Sequence, residues 1–600
     1  MRIPIFGSLF RYYNVFYLYA GYRLPFLCII TLFGGLCESI GLSMMLPLLN
    51  IDKSFDSIDT YTKFIFDALN FVGMSKSLNS VLIIIVFIFC LKGAFIFIQS
   101  AIEANIKSDL LKELRLNLIK KYEAMSYSFY INTNLGFLNN IITQEIDRVL
   151  SAFTKYIQVL INVIYIVIYL SAAFFFNWKI TLTILFVCII FFAVFRRFSK
   201  IITFLSHNVS LLNASIQGGL IQFISYFKYL KATSGFIPLY SQLNQMIVDH
   251  KKAVNKSLII NAIPTSTIEA LTSIILAVII IVQVNIMDRS IADSILLLIF
   301  FHKSFSRVFR FQSVWQHFCT YIGGVEVIRK AIENFDSNKE QCGKIKLEKF
   351  KQQIELKSVN FLYGSKQVLF DVNIIIPKNY SVGIIGESGA GKTTLFDMLT
   401  GLISPASGII SIDNIDYKDL NLITLRQNIG YVTQEPVVFN DTIENNISFW
   451  EKKDKNVIKK IEKAAILSKS ESFIQECPEK YKTIIGDRGI KLSGGQRQRI
   501  AIAREIYKEP DIIIFDEATS SLDTESEKYI QESINNMKGN RTLIIIAHRL
   551  STIKNCDIIY VLSKGRVVEQ GNFKQLYNTS NSIFKKMCLE QQLTDSENYG

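Results

Sequence analysis

The run Gly386-Glu387-Ser388-Gly389-Ala390-Gly391-Lys392-Thr393-Thr394 sets glycines, a lysine and hydroxyls at the spacing G-x-x-x-x-G-K-T. Glycines let backbone N–H groups wrap an anion, and a helix opening at the lysine adds the positive end of its dipole. The chemistry is phosphate gripping. Lys392 is expected to reach the β- and γ-phosphates of a nucleotide, and Thr393 to ligate Mg²⁺. A second glycine turn, Leu492-Ser493-Gly494-Gly495-Gln496, opens another helix further on. Two such turns in one small domain suit an ATP held between two copies of that domain. The third piece is Ile512-Ile513-Ile514-Phe515-Asp516-Glu517. Its apolar residues bury a strand, Asp516 at the end holds Mg²⁺ through water, and Glu517 is placed to polarise an attacking water. Phosphoryl transfer needs little beyond such positioning and charge neutralisation.

These residues need a scaffold. Val382-Gly383-Ile384-Ile385 reads as a buried strand feeding the phosphate loop, and from Ile354 the pattern is strand, turn, strand, phosphate loop, helix. The 600 residues exceed one core, so two domains or more are expected. Half the residues are hydrophobic and the mean hydropathy is +0.29. The apolar residues concentrate before about residue 330. Six long apolar spans, at roughly 23–50, 79–106, 153–177, 179–205, 257–287 and 291–320, each meet the about 20 residues needed to cross about 30 Å of hydrocarbon. Several are longer, so some helices are expected to project beyond the membrane.

Net charge is +14, and the excess lies mostly in the apolar half, where cations flank the spans. That is the positive-inside pattern of a membrane protein rather than a nucleic-acid binder. The long loops 107–150 and 206–256 carry Lys107, Lys112, Arg115, Lys120, Lys121, Arg148, Lys228, Lys231, Lys251 and Lys252, which places them and both termini in the cytoplasm. Within them, 132–136 and 228–232 read as short helices that touch the ATPase domain. Asn177-Trp178 and 288–290 read as tight turns. The segment 8–20 reads as an aromatic amphipathic helix at the membrane interface. Phe64, Ala68 and Phe71 share a helical face in the outer loop 51–78, either as a surface helix or as an ordinary packed loop helix. The nine cysteines are scattered with no C-x-x-C, so neither disulfides nor zinc is indicated. The N-terminus lacks a short apolar region with a cleavage site, so the first span is expected to stay.

With these motifs in this order, nearly the whole chain resembles the ABC exporters. Tyr363 falls where the family stacks adenine. Gln434, in Thr433-Gln434-Glu435-Pro436, matches the loop that senses Mg²⁺ and contacts the membrane domain. Asp487-Arg488-Gly489 matches the exporter-type coupling segment, Ser521-Leu522-Asp523 the dimer-contact loop, and His548 the γ-phosphate histidine. The resemblance implies an α-helical membrane domain of six transmembrane helices (1–334), a linker (335–352) and an α/β P-loop nucleotide-binding domain (353–600). It also implies a homodimer whose two composite sites hydrolyse ATP with Mg²⁺, the membrane being the bacterial inner membrane.

Charges inside apolar spans default to function or pairing. Lys92 sits mid-span, and Lys303, Arg307 and Arg310, then His317, share an arc of about 80° on the sixth span. Glu38 and Glu269 also lie within spans. One reading pairs Lys92 or Lys303 with Glu38 or Glu269 and lets Arg310 snorkel to the interface. The other, favoured because the cations outnumber the carboxylates, is a basic cavity wall that receives a phosphate or diphosphate. Residues 38–49 are similar to the first span of bacterial lipid-linked oligosaccharide flippases, which implies membrane lipids and a lipid-linked glycan as partners. An exporter of drugs or antibacterial peptides is the alternative.

Overall fold

The computed structural model describes residues 5–45, 77–176, 178–285, 291–518, 523–547 and 549–597. The expected outer-loop helix, most of the two tight turns, Ser521, Leu522 and His548 lie outside the described residues. The chain divides into two compact units. One comprises 1–125 with 129–339, the other 126–128 with 340–600.

The first unit is helical. Among the described residues it holds the long helices Arg23–Ser43, Leu78–Glu123, Ile146–Phe176, Trp178–Ser225, Phe236–Asn285 and Ile291–Ser337, preceded by Ile5–Ala20. Leu78–Glu123 has 46 residues. At about 1.5 Å per residue it is roughly 69 Å long, more than twice the hydrocarbon thickness. Its two halves are built differently. Ile83, Val86, Phe87 and Phe97 are exposed and apolar, as lipid contact demands. Ile106, Leu110, Leu114 and Leu118 are buried at every fourth position. Arg23–Ser43, Leu78–Glu123 and Leu135–Phe174 are each long and apolar enough to cross a membrane. Short helices stand at Tyr127–Ile131, Leu135–Asn140 and Phe227–Ala232.

Aromatic packing holds the bundle. Tyr12 and Phe16, one turn apart on the N-terminal helix, sit edge-on to Phe318 and Phe153. A polar clamp lies below them. The chain enters Ile146–Phe176 through a π turn, Ile141–Glu145, whose Glu145 is fully buried. The Arg148 guanidinium donates to Ser206 Oγ at 2.7 Å, to the Ser206 carbonyl at 3.0 Å and to the Thr320 carbonyl at 3.1 Å. It also lies 3.6 Å from Glu145. One residue therefore ties three long helices together.

The second unit has two sheets. The antiparallel one is ordered β2 (Lys366–Pro377), β1 (Gln353–Tyr363), β4 (Ser407–Ile412), β5 (Ile415–Asp416). The larger is ordered β10 (Arg566–Gly571), β9 (Ile558–Ser563), β3 (Ser381–Gly386), β8 (Thr542–Ile546), β7 (Ile512–Asp516), β6 (Ile429–Val432), with β9 to β6 parallel. β3 and β8 are buried at every residue, which is what a parallel strand covered on both faces requires. Tyr560 on β9 joins the sheets: its hydroxyl accepts from the Ile375 N–H at 3.1 Å and donates to the Ile375 carbonyl at 2.9 Å.

Candidate functional site

β3 runs straight into the phosphate loop, and the helix Lys392–Leu399 leaves it. Gly391, at the helix N-cap, has φ +98, a left-handed backbone that favours glycine. A Cβ there would also stand 2.6 Å from Leu369 Cδ2. Lys392 is buried, and its ammonium donates to the Gly386 and Glu387 carbonyls at 2.8 and 3.0 Å. Burial pushes its pKa below the ordinary lysine range, against the pull of Glu517 and Asp516. Glu387, Ser388, Gly389 and Thr393 are exposed, whereas Ala390 and Thr394 are buried. An open cavity of about 480 Å³ lies over the loop, lined by Ser388, Gly389, Gly391, Lys392, Thr393, Thr394 and Glu517.

β7 lies beside β6, and this pairing brings two distant motifs together. Gln434 follows β6 and Glu517 follows β7. The Gln434 Nε2 donates to Glu517 Oε2 at 2.8 Å, leaving the Gln434 carbonyl oxygen for another partner. Glu517 has φ +47, and its N–H donates to the Ile546 carbonyl at 3.2 Å. Tyr431 donates to Asp516 Oδ2 at 3.3 Å. Burial pushes the Asp516 carboxyl up, and Glu517 adds to this while Tyr431 and Lys392 oppose it.

The signature turn is a capping box. Ser493 Oγ accepts from the Gln496 N–H at 3.2 Å, and Gln496 Oε1 accepts from the Ser493 N–H at 2.9 Å. Gly495 permits a close approach: a Cβ there would stand 2.0 Å from Ser526 Oγ. Asp523 caps the helix that carries Ser526, accepting from its N–H at 3.0 Å. None of Ser493, Gly494, Gly495, Gln496 or Asp523 lines the cavity over the phosphate loop. Tyr363 does not line it either. It stands exposed at the end of β1, edge-on to Phe361 and paired with Lys366, which does line the cavity.

The sequence reading missed several parts. Lys366, Gln367, Val368 and Phe370 of β2, with Lys564 and Gly565 of the β9–β10 turn, complete the cavity wall. Nothing but a basic residue beside a turn glycine marks Lys564, a common surface pattern. The signature helix Gly494–Tyr507 also braces the loop that holds Gln434. Gln498 donates to the Thr433 carbonyl at 3.2 Å, and Arg504 donates to the Val437 carbonyl at 2.6 Å.

In the helical unit the pairing reading of the charges is met at Glu38. Lys92 lies 2.9 Å from Glu38 Oε2, Lys303 3.1 Å from Oε1 and Arg307 4.0 Å from Oε2. Among the described residues, one carboxylate meets three cations. Arg310 is exposed and falls outside this cluster. The Glu269 side chain lies outside the description.

The ABC transporter transmembrane region model matches residues 26–309, and the ABC transporter model matches residues 369–520. An ATP-dependent lipid A-core flippase of Desulfotalea psychrophila is 31% identical over 517 residues, 85% of this chain and 90% of the relative. One of Wigglesworthia glossinidia brevipalpis is 32% identical over 495 residues, 81% of this chain and 84% of the relative. A solved bacterial Atm1-family ABC exporter with ATP bound superposes with a TM-score of 0.77 at 24% identity, covering 95% of this chain and 98% of that one. The chain belongs to the ABC transporter family, as a membrane-spanning exporter half-transporter whose ABC ATPase domain couples ATP hydrolysis to transport.

Proposed function

We propose that the chain acts as a homodimer in the bacterial inner membrane and flips an anionic amphipathic lipid, a lipid-diphosphate-linked oligosaccharide, from the cytoplasmic to the outer leaflet. One observation carries the cargo class: within the apolar helices Lys92, Lys303 and Arg307 gather round Glu38, three cations to one carboxylate among the described residues. Excess positive charge at such depth is costly unless an anion visits it. That relatives are named lipid A-core flippases supports a lipid cargo.

In the ATPase domain, the phosphate-loop amides and Lys392 hold the phosphates, and Tyr363 takes the adenine. Glu517 orients and deprotonates the attacking water, Gln434 steadies Glu517, and His548 contacts the γ-phosphate. Ser493, Gly494, Gly495, Gln496 and Asp523 serve the nucleotide held by the partner chain, in keeping with their place outside this chain's own cavity. Mg²⁺ fits the oxygen donors Thr393, Asp516 and Gln434. The half-buried Asp516, its carboxyl pushed up by burial, favours a neighbouring cation. Bound there, the ion supplies charge neutralisation for phosphoryl transfer.

The test is flipping of a fluorescent lipid-diphosphate-linked oligosaccharide in proteoliposomes. Replacing both Lys303 and Arg307 by alanine should abolish it in a protein that still folds and binds ATP. Undiminished flipping would refute the anionic-lipid reading and favour a drug or peptide exporter.

A further inference from the structure

Glu38 is 3% exposed, and its carboxylate sits among cations from two other helices, Lys92 on Leu78–Glu123 and Lys303 and Arg307 on Ile291–Ser337. The lysines are within hydrogen-bond distance, whereas Arg307 at 4.0 Å is in Coulombic contact only. The Arg307 guanidinium lies 4.1 Å over the Tyr165 ring. Its face is therefore engaged, and its edge, where the N–H bonds point, is the part left to grip oxygens. The Lys303 side chain is 40% exposed, the most open of the three. A carboxylate presents two anionic oxygens, much as one edge of a phosphate does.

We propose that Glu38 is an internal stand-in for the cargo's anionic group. It gathers the cations when no cargo is bound and yields when the cargo's phosphate oxygens take its place. This rests on the reading of these cations as the anion-receiving group. The exchange has a structural consequence. Glu38 ties the helix Arg23–Ser43 to the two helices that bear the cations. An incoming phosphate releases that tie while keeping the cation-bearing helices joined through itself. The cargo thus interacts differently with two arrangements of the helices, as any ligand-driven shift requires. Glu38 sets affinity by competition and sets coupling by being displaced.

The experiment uses the full chain in phosphatidylcholine proteoliposomes, with radiolabelled undecaprenyl diphosphate as the anionic probe and undecaprenol as the uncharged one. Glu38→Gln keeps the shape and removes the competing charge. Its half-saturating concentration of the diphosphate should fall roughly tenfold, and probe-stimulated ATP hydrolysis should shrink. Binding of undecaprenol should not change. Glu38→Asp keeps the charge but withdraws the oxygens, so it should show a smaller gain, and it carries the test if the glutamine variant does not fold. Suppose wild type binds the diphosphate and Lys303→Ala with Arg307→Ala loses it, yet both Glu38 variants bind equally or more weakly. The stand-in is then overturned while the anion-receiving reading survives. No saturable binding to wild type, or binding unchanged by the double alanine variant, overturns both.

Discussion

Asp397 stands on the phosphate-loop helix and is only 9% exposed. Burial first, and the nearby Asp516 carboxylate second, push its carboxyl up to about 6 from the ordinary 3.8. The folded chain therefore binds this proton more tightly than the unfolded chain does. Stability falls as pH rises between these two values, and the whole cost is present above about 6. A gap of about two units, at about 1.36 kcal/mol each, makes that cost up to roughly 3 kcal/mol at pH 7.5, with about half of it present at pH 5. Asp397→Asn keeps the shape and removes the charge. It should raise the unfolding temperature of the ATPase domain by several degrees at pH 7.5 and by about half as much at pH 5. The assay is calorimetry of the nucleotide-free full chain. Asp516→Asn removes the second cause, so the gain from Asp397→Asn should be smaller in that background. A loss of stability at pH 7.5, or a gain of equal size at both pH values, would refute the reasoning, because the effect would then not come from a buried charge.

Further consequences follow from other contacts. Glu517→Gln keeps a side chain that Gln434 can still hold but removes the base. ATP should bind while turnover falls by about 10² to 10⁴, measured as phosphate release, and near-normal turnover would exclude Glu517 as base. Ser493→Arg chains and Lys392→Ala chains should each be inactive alone. Mixed, they should regain hydrolysis, since one composite site per heterodimer is intact. No recovery, in mixtures that still show ATP-dependent crosslinking between chains, would mean that the two sites fire only together. Arg148→Met leaves the fully buried Glu145 charge with only the neutral donors Asn140 and Ser210 and should cost up to about 3 kcal/mol, read as a lower unfolding temperature. Restoring balance with Glu145→Gln should recover part of that loss, and a silent Arg148→Met would show that the clamp contributes nothing.

What the sequence made legible was local. A glycine-lysine-threonine run specifies its own turn and helix, and an unbroken apolar run before Asp516 specifies a parallel strand covered on both faces. Contacts that depend on strand order were not legible. The Gln434–Glu517 hydrogen bond exists because β6 and β7 are neighbours, although their sequences lie far apart. The cavity wall at Lys366 and Lys564 likewise needs the β9–β10 turn to reach β2, where the Phe370 N–H donates to the Gly565 carbonyl at 2.9 Å.

The membrane charges show the same boundary from the other side. Helical spacing places Lys303, Arg307 and Arg310 on one arc, and that inference concerns one helix alone. Which of them meets Glu38 depends on how two further helices pack. Arg310, about 4.5 Å along the axis from Arg307, misses the cluster that Lys303 and Arg307 join. Counting charges needs no geometry. Choosing between a bare cationic wall and an ion pair did need it. The structure gives a third arrangement: among the described residues, three cations meet one buried carboxylate. A bare group of cations at this spacing would repel itself. Glu38 offsets that repulsion by drawing Lys92 and Lys303, from two different helices, onto one carboxylate.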